Sequence, residues 1–312
     1  MNSHDASQRA LLHTVAKLHY VSDLSQVEIA QRLNLSTATV SRLLRRARVE
    51  GIVRIEVRDL ETPADLTADL IARLGVRRAA VVDMGEASGM AALAGPVSTL
   101  LKEASLGAGS VLAIGWGRAV REVIAAGLPR IPGVLTVQAT GGMQQPQPHF
   151  QIGEFVRLAA EQMGGTPHFI HAPYLPSREA REVLLNDVVT SENLALWDRI
   201  DAAVVGIGVP HSAESDHGRL HITRDEKALV HAVGDVIRHY FDDDGTLIHW
   251  EGETRLIAVA PEQLRRIPLV IGVAASPYKA RAIRGAVRAG MVNALVTDTA
   301  TARAVLDLVE QR

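Results

Sequence analysis

The sequence predicts an α/β protein in two parts: a small helix-turn-helix head over residues 1–60, winged-helix-like in outline, and a larger Rossmann-like α/β body over residues 61–312. Three observations lead there. Residues 24–55 read as two short capped helices with an arginine-rich exposed face. Beyond residue 75, short Val/Ile-rich runs alternate with amphipathic segments, which implies a parallel sheet covered on both faces. A length of 312 residues, 47% of them hydrophobic, suits two domains or three with a sizeable core.

In the head, Ala10, Leu11, Thr14, Val15, Leu18 and Val21 fall at helical spacing and predict a supporting helix. Ser25 and Glu28 then stand in the S-x-x-E relation of a capping box, opening a short helix with Ile29, Ala30 and Leu33 on one face. Asn34-Leu35-Ser36 breaks it: Leu35 plugs the turn and Ser36 caps the next helix. Val40, Leu43, Leu44 and Ala47 give that helix a buried stripe and leave Thr37, Ala38, Ser41, Arg42, Arg45 and Arg46 outward. Gly51 ends it, and residues 52–57 read as a short strand, one arm of a small wing.

This pattern suits the major groove of DNA. Thr37 and Ser41, outward at the start of the second helix, are short enough to let it sit deep, and Gln26, Ser36 and Thr39 are further candidates for DNA contact. Arg42 is placed for a bidentate contact with a guanine edge, whereas Arg45, Arg46, Arg48 and Arg54 suit phosphates. Charge agrees. Residues 1–60 carry nine Lys/Arg against six Asp/Glu, a formal +3, and the other 252 residues carry a formal −5, so the overall pI near 6.6 conceals a basic head. An ordinary αα-hairpin with a solvated arginine face is the plainer alternative, and it leaves the two caps and the turn unexplained.

Composition excludes several classes. With no cysteine there are no disulfides, thiolate metal sites or cysteine nucleophiles. Residues 1–10 lack the apolar core of a signal peptide, and no run of 18 apolar residues exists; a cytoplasmic protein without a membrane partner is expected. At 4% aromatic, the chain is poorly suited to stacking on single strands.

In the body, Pro63 starts a helix running to residue 74. Strands are predicted at 79–84, 111–115, 134–139, 168–171, 202–207, 256–259, 270–274 and 294–297, and helices at 90–104, 119–126, 154–163, 178–186, 279–288 and 301–310. Two strand-to-helix junctions stand out. In Gly115-Trp116-Gly117-Arg118, the glycines let backbone approach a ligand, the following helix aims its free amides there, and Arg118 adds a cation. In Ala275-Ser276-Pro277-Tyr278-Lys279, Ser276 can cap while Lys279 and Arg281 stand close by. Both lie at carboxyl ends of strands, where open α/β sheets bind ligands, and together they favour an anionic one, such as a sugar phosphate. Ordinary turn chemistry with solvated cations is the competing account of each. A third turn, Thr140-Gly141-Gly142, could offer amides to hydroxyls, with Gln144 and Gln145 alongside; a plain surface loop explains it as well. Asp243, in Asp242-Asp243-Asp244-Gly245, could accept from a polyol, or the segment could be an acidic turn before a strand.

At these residues the chain resembles the SorC family of sugar-responsive bacterial transcription factors. The resemblance spans nearly the whole chain in order: Tyr20-Val21 through Leu24-Ser25-Gln26 and Glu28-Ile29-Ala30; Thr39-Val40-Ser41-Arg42-Leu43-Leu44; Gly51-Ile52-Val53; Gly115-Trp116-Gly117-Arg118; Gly141-Gly142; Val205-Gly206-Ile207-Gly208; Gly234-Asp235-Val236; Lys279-Ala280; Thr297-Asp298. It implies a DNA-binding head and an effector domain related in fold to phosphosugar isomerases and deaminases, acting as a sensor. It also implies a homo-oligomer, commonly a tetramer, and a pocket lined by Gly115, Trp116, Gly117, Arg118, Gly141, Gly142, the acidic segment at Asp243, and Lys279. The chain departs from the family pattern at Ala275-Ser276, where paired glycines are common, and at Thr140, where some members carry a basic residue; the latter disfavours a bisphosphate or a covalent imine at that position.

The function expected is therefore a regulator of a carbohydrate or polyol operon, partnered by double-stranded operator DNA and a sugar, polyol or sugar-phosphate effector. It needs no cofactor, metal or catalytic residue. The alternative is a phosphosugar isomerase or deaminase with an accessory DNA-binding head. Such chemistry needs a base near a polarised carbonyl, and no G-x-S-x-G or H-E-x-x-H motif fixes one. His211, His217 and His221 fit no familiar metal spacing and read as a polar loop. A constitutive architectural protein is the third class, and it leaves the two junctions without a purpose.

Overall fold

The computed structural model describes residues 3–53, 62–84, 89–143, 147–210 and 226–310. Residues 54–57 of the expected wing, Arg54, Gln144, Gln145, His211, His217 and His221 lie outside them. The chain divides into two compact units, Met1–Leu60 and Glu61–Arg312.

The first unit holds α1 (Ser3–Tyr20), α2 (Gln26–Arg32) and α3 (Thr37–Val49). Both cap predictions are realised. Ser25 Oγ accepts from the Glu28 amide while Glu28 returns its carboxylate to the Ser25 amide, and Ser36 Oγ accepts from the Thr39 amide. Asn34 takes φ +51 in the turn, a conformation asparagine tolerates better than most residues. Val15, Ile29, Ala30, Val40 and Leu44 form one buried cluster, with Leu35 against it; Leu12, Ala16 and Ala47 form another, onto which Ile52 and Val53 fold. Half of the predicted stripe holds, with Val15 buried and Leu11 and Leu18 packed beside it, while Leu12 and Ala16 complete the buried face and Ala10, Thr14 and Val21 are exposed.

The second unit is built on a seven-stranded parallel sheet. Along the chain come α4 (Pro63–Asp69), continued by a π-helical turn Leu70–Leu74, then β1 (Arg78–Val82), α5 (Ala94–Glu103), β2 (Val111–Ile114), α6 (Arg118–Ala126), β3 (Leu135–Gln138), α7 (Ile152–Met163) and β4 (Thr166–His168). Next are α8 (Arg178–Asn186), α9 (Val188–Leu194), β5 (Ala202–Gly206), α10 (Glu226–Leu229), β6 (Gly234–Val236), β7 (His239–Phe241) and β8 (Leu247–Ile248). The chain ends with α11 (Pro261–Arg266), β9 (Leu269–Val273), α12 (Ala280–Arg288), β10 (Ala294–Asp298) and α13 (Thr299–Glu310).

The strand order is β1-β10-β9-β5-β2-β3-β4, and β6-β7-β8 form a separate antiparallel sheet. Alternation along each central strand fills both faces. Leu112 and Ile114 of β2, Ala202 and Val204 of β5, and Ile271 and Val273 of β9 enter one core with α5, α6 and α7. Val111, Ala113, Ala203, Val205 and Val270 enter the other with α4, α12 and α13. This two-sided burial explains the continuous apolar runs in the sequence.

Two expectations fail. Residues 256–259 are not a strand; they run extended beside the end of β3, making a single antiparallel bridge between Ala258 and Thr140. The sequence predicts no strand at 234–236 or 239–241, because strands of three residues carry too little pattern to detect, and the turn before a strand that it offers at 242–245 is followed by β8. Among the described residues no helix is long and apolar enough to cross a membrane.

Candidate functional site

In the first unit, α3 presents Thr37, Ala38, Ser41, Arg42, Arg45, Arg46 and Arg48 to solvent, while Val40, Leu44 and Ala47 hold it down. Among the described residues, Arg42 and Arg45 make no hydrogen bond or ion pair. Arg46 is paired with Glu50 one turn on. Ser36 and Thr39 bond each other through their hydroxyls at 2.8 Å, so both serve the helix start as well as its surface. Gln26 is the first residue of α2 and is half-buried.

In the second unit the loops after β2, β5 and β9 meet at the carboxyl edge of the sheet. β2 and β5 are neighbours, yet the chain leaves them in opposite directions across the sheet: from β2 toward β3, from β5 toward β9. This is the topological switch point, where open α/β sheets leave a crevice. Glycines let the two loops touch there. A Cβ on Gly206 would fall 2.8 Å from the Trp116 carbonyl oxygen, and one on Gly115 would fall 3.3 Å from Val205. Gly117 takes φ +130 as the N-cap of α6, with no side chain closing the helix start. Arg118 follows, exposed and without a partner among the described residues. Trp116 is buried, edge-on to Tyr174 at 5.3 Å and to Phe150 at 6.2 Å.

Lys279 reaches across from the 3-10 turn after β9, and its Nζ donates to the Ile207 carbonyl at 2.8 Å. Burial pushes its pKa down to about 8; the charge of Arg118 acts in the same direction and Asp235 opposes it. Asp235 belongs to β6 and is brought in by an antiparallel bridge with Gly208. A side chain at position 208 would collide with the Asp235 carboxylate. That carboxylate also accepts from the Arg238 amide at 3.0 Å. His149 gives its carbonyl to the Gly117 amide, and burial, then Arg118 and Arg121, hold its ring below the ordinary imidazole range.

The sequence-predicted residues divide. Gly115, Trp116, Gly117, Arg118 and Lys279 come together. Thr140 is fully buried and donates to the Ile257 carbonyl. The Gly141 and Gly142 amides donate to Ile257 and Ala172, so this turn braces neighbouring segments and its amides are not free for hydroxyls. Asp243 is bound by Arg284 at 2.7 Å and Arg281 at 3.2 Å, which fasten the β7–β8 turn to α12; burial would raise its carboxyl, but these cations hold it below the ordinary range. Ser276 does not cap by its side chain. It takes φ +111, and its amide donates to Asp298 and Thr301. Asp235 enters the sequence reading only within the Gly234-Asp235-Val236 of the family resemblance and with no site role, and Arg238, Tyr174 and His149 are given none. One signal was available: Gly206-Ile207-Gly208 repeats the Gly-x-Gly of 115–117 after another apolar strand.

A family profile described as "Putative sugar-binding domain" matches residues 58–307, and one described as "Sigma-70, region 4" matches residues 17–50, which take in α2 and α3. The sorbitol operon regulator of Klebsiella pneumoniae is 28% identical over 95% of this chain and 97% of its own length. The chain is a member of the SorC family. The crystal structure of that full-length regulator superposes with a TM-score of 0.71 at 27% identity, covering 96% of this chain and 99% of the other. The deoxyribonucleoside regulator of Bacillus subtilis is 27% identical over 97% of this chain and 99% of its own. Like these relatives, this SorC-family chain is a transcriptional regulator with a DNA-binding region and a sugar-binding domain.

Proposed function

We propose that this regulator binds operator DNA through α3 and is controlled by a sugar, polyol or sugar phosphate held at the carboxyl edge of the parallel sheet. The observation that carries the pocket is the convergence of Arg118, the uncapped start of α6, Lys279 and Asp235 on the switch point. The cations and amides suit a phosphate, and the Asp235 carboxylate accepts from hydroxyls. In the head, Arg42 reads a base edge from the major groove; Gln26, Ser36, Thr37, Thr39, Ser41, Arg45 and Arg46 line the contact and meet backbone. A homo-oligomer, dimer or tetramer, sets two or more heads on repeated half-sites. The effector acts through its different affinity for two arrangements of that assembly, which is what changes DNA affinity.

The test is binding of the full-length chain to duplex from its own upstream region against scrambled duplex, at about 150 mM salt where nonspecific binding is weak. The effector panel is sorbitol 6-phosphate, deoxyribose 5-phosphate and the free sugars. Selective binding that one compound shifts is the expected result; equal binding to both duplexes with every compound would overturn the proposal. Turnover of the same phosphosugars is measured alongside. Asp235 and Lys279 are the acid–base pair a phosphosugar isomerase or deaminase would need, and no turnover is expected.

A further inference from the structure

Arg238 occupies the most strained place in the small sheet. With Ile237 it forms the two-residue connection between β6 and β7, and both residues have positive φ, 44° and 72°. Such a turn ordinarily takes Asn-Gly, and a β-branched residue at positive φ is an outlier. Strain of this kind persists where surrounding structure enforces it and marks sites of function. Here Asp235 enforces it by accepting the Arg238 amide.

The result is an aimed cation. The Arg238 guanidinium carbon lies 5.3 Å from the ring centre of Tyr240, 5.6 Å from Tyr174 and 5.8 Å from Trp250. Three ring faces orient the group, yet it makes no hydrogen bond or ion pair with a described residue, and its Nε is buried without a partner. The Trp250 indole nitrogen is likewise buried and without a partner among the described residues. Two such donors on side chains in contact call for an acceptor. Tyr174 ties this group to Trp116, and so to the loop that carries Arg118. Lys279 feels the charges of both Arg118 and Asp235, and the Arg238 backbone amide holds the Asp235 carboxylate, so the three cations belong to one connected set of loops in a body whose formal charge is −5.

We propose that Arg238 is a specificity residue for a second acidic group, so that the effector carries an anion at each end: a phosphate at Arg118 and Lys279, and a carboxylate or second phosphate at Arg238, which supplies the cation that Thr140 does not. This rests on the pocket assigned above. The guanidinium fork suits either oxyanion, and the probes separate them.

The measurement is calorimetric affinity of the full-length chain for sorbitol 6-phosphate, 6-phosphogluconate and fructose 1,6-bisphosphate. In the wild type, one of the two-ended probes binds on the order of tenfold more tightly than sorbitol 6-phosphate, the worth of one charged hydrogen-bonded contact. In Arg238→Gly, whose glycine accepts φ +72 without strain, and in Arg238→Gln, that ratio falls to about one. A wild-type ratio near one, with sorbitol 6-phosphate bound, overturns the two-ended effector and leaves the pocket standing. A ratio kept in both variants removes Arg238 from recognition. Failure of all three probes to bind overturns the pocket and this inference together.

Discussion

The ammonium of Lys279 lies 2.8 Å from the carbonyl oxygen of Ile207, joining the turn after β9 to the end of β5 by one hydrogen bond. Its pKa, about 8 against an ordinary 10.5, makes this contact sensitive to pH. Between about pH 8 and 10.5 the unfolded chain holds a proton that the folded chain has released. Stability therefore rises with pH across that window, while affinity for an anion, which needs the ammonium, falls. Sorbitol 6-phosphate should bind roughly thirtyfold more weakly at pH 9.5 than at pH 7, as the protonated fraction of Lys279 falls. Lys279→Met should bind weakly at both. An unchanged affinity in the wild type would show that Lys279 does not touch the ligand.

Arg42 and Arg45 both lack a partner among the described residues, yet they are expected to fail differently. Arg42→Ala should cost about 1–3 kcal/mol on operator duplex and far less on scrambled duplex, because it removes a base contact. Arg45→Ala should weaken both equally and lower the salt slope by about one, the signature of a lost phosphate contact. Arg46 gives up little to reach DNA, since exposed i,i+4 pairs such as Arg46–Glu50 contribute only about 0.3–0.5 kcal/mol. Competition binding across a salt series separates these cases.

Ser276 holds φ +111, a conformation that costs a side-chain-bearing residue about 1–3 kcal/mol. Glycine removes that strain but adds about 0.5–1 kcal/mol of unfolded-state entropy. Ser276→Gly should therefore stabilise the chain by about 1 kcal/mol, read as a raised denaturation midpoint with unchanged slope. A lower midpoint would mean that the Ser276 hydroxyl holds the turn.

Gly206 has the opposite sensitivity. A methyl group there would sit 2.8 Å from the Trp116 carbonyl oxygen, which is backbone and cannot swing away. Gly206→Ala should cost roughly 1–3 kcal/mol by overpacking and should also weaken the effector response, because it pushes the loop after β2 off the loop after β5. Chemical denaturation with and without sorbitol 6-phosphate reads both effects.

The parts of the molecule legible in its sequence are those set by neighbours in the chain. Ser25 with Glu28 and Ser36 with Thr39 cap their helices within three residues, so the head can be read directly. The inner strands announce themselves because both faces are buried. Residues 256–259 mislead for the same reason: they are apolar and packed, but only Ala258 makes a bridge. In the site, Gly117 and Arg118 are legible because a glycine before a helix has a local meaning. Asp235 is not, since it enters through a pairing with Gly208 across 27 positions of chain. Asp243 is misassigned because Arg281 and Arg284, which claim it, lie on a helix some 40 residues later.

The three short antiparallel strands all fall within one excursion of the chain, between β5 and β9, which are themselves adjacent in the parallel sheet. Asp235, Arg238, Tyr240 and Trp250 ride on that excursion, while Arg118 and Lys279 belong to the frame. Val236, Ile237 and Phe241 of the insert pack into the core, whereas the side chains of Asp235 and Arg238 take no part in the register of the seven strands. On the pocket proposed above, a lineage of such regulators exchanges one effector for another by rewriting these few positions of coding sequence, and inherits the scaffold whole.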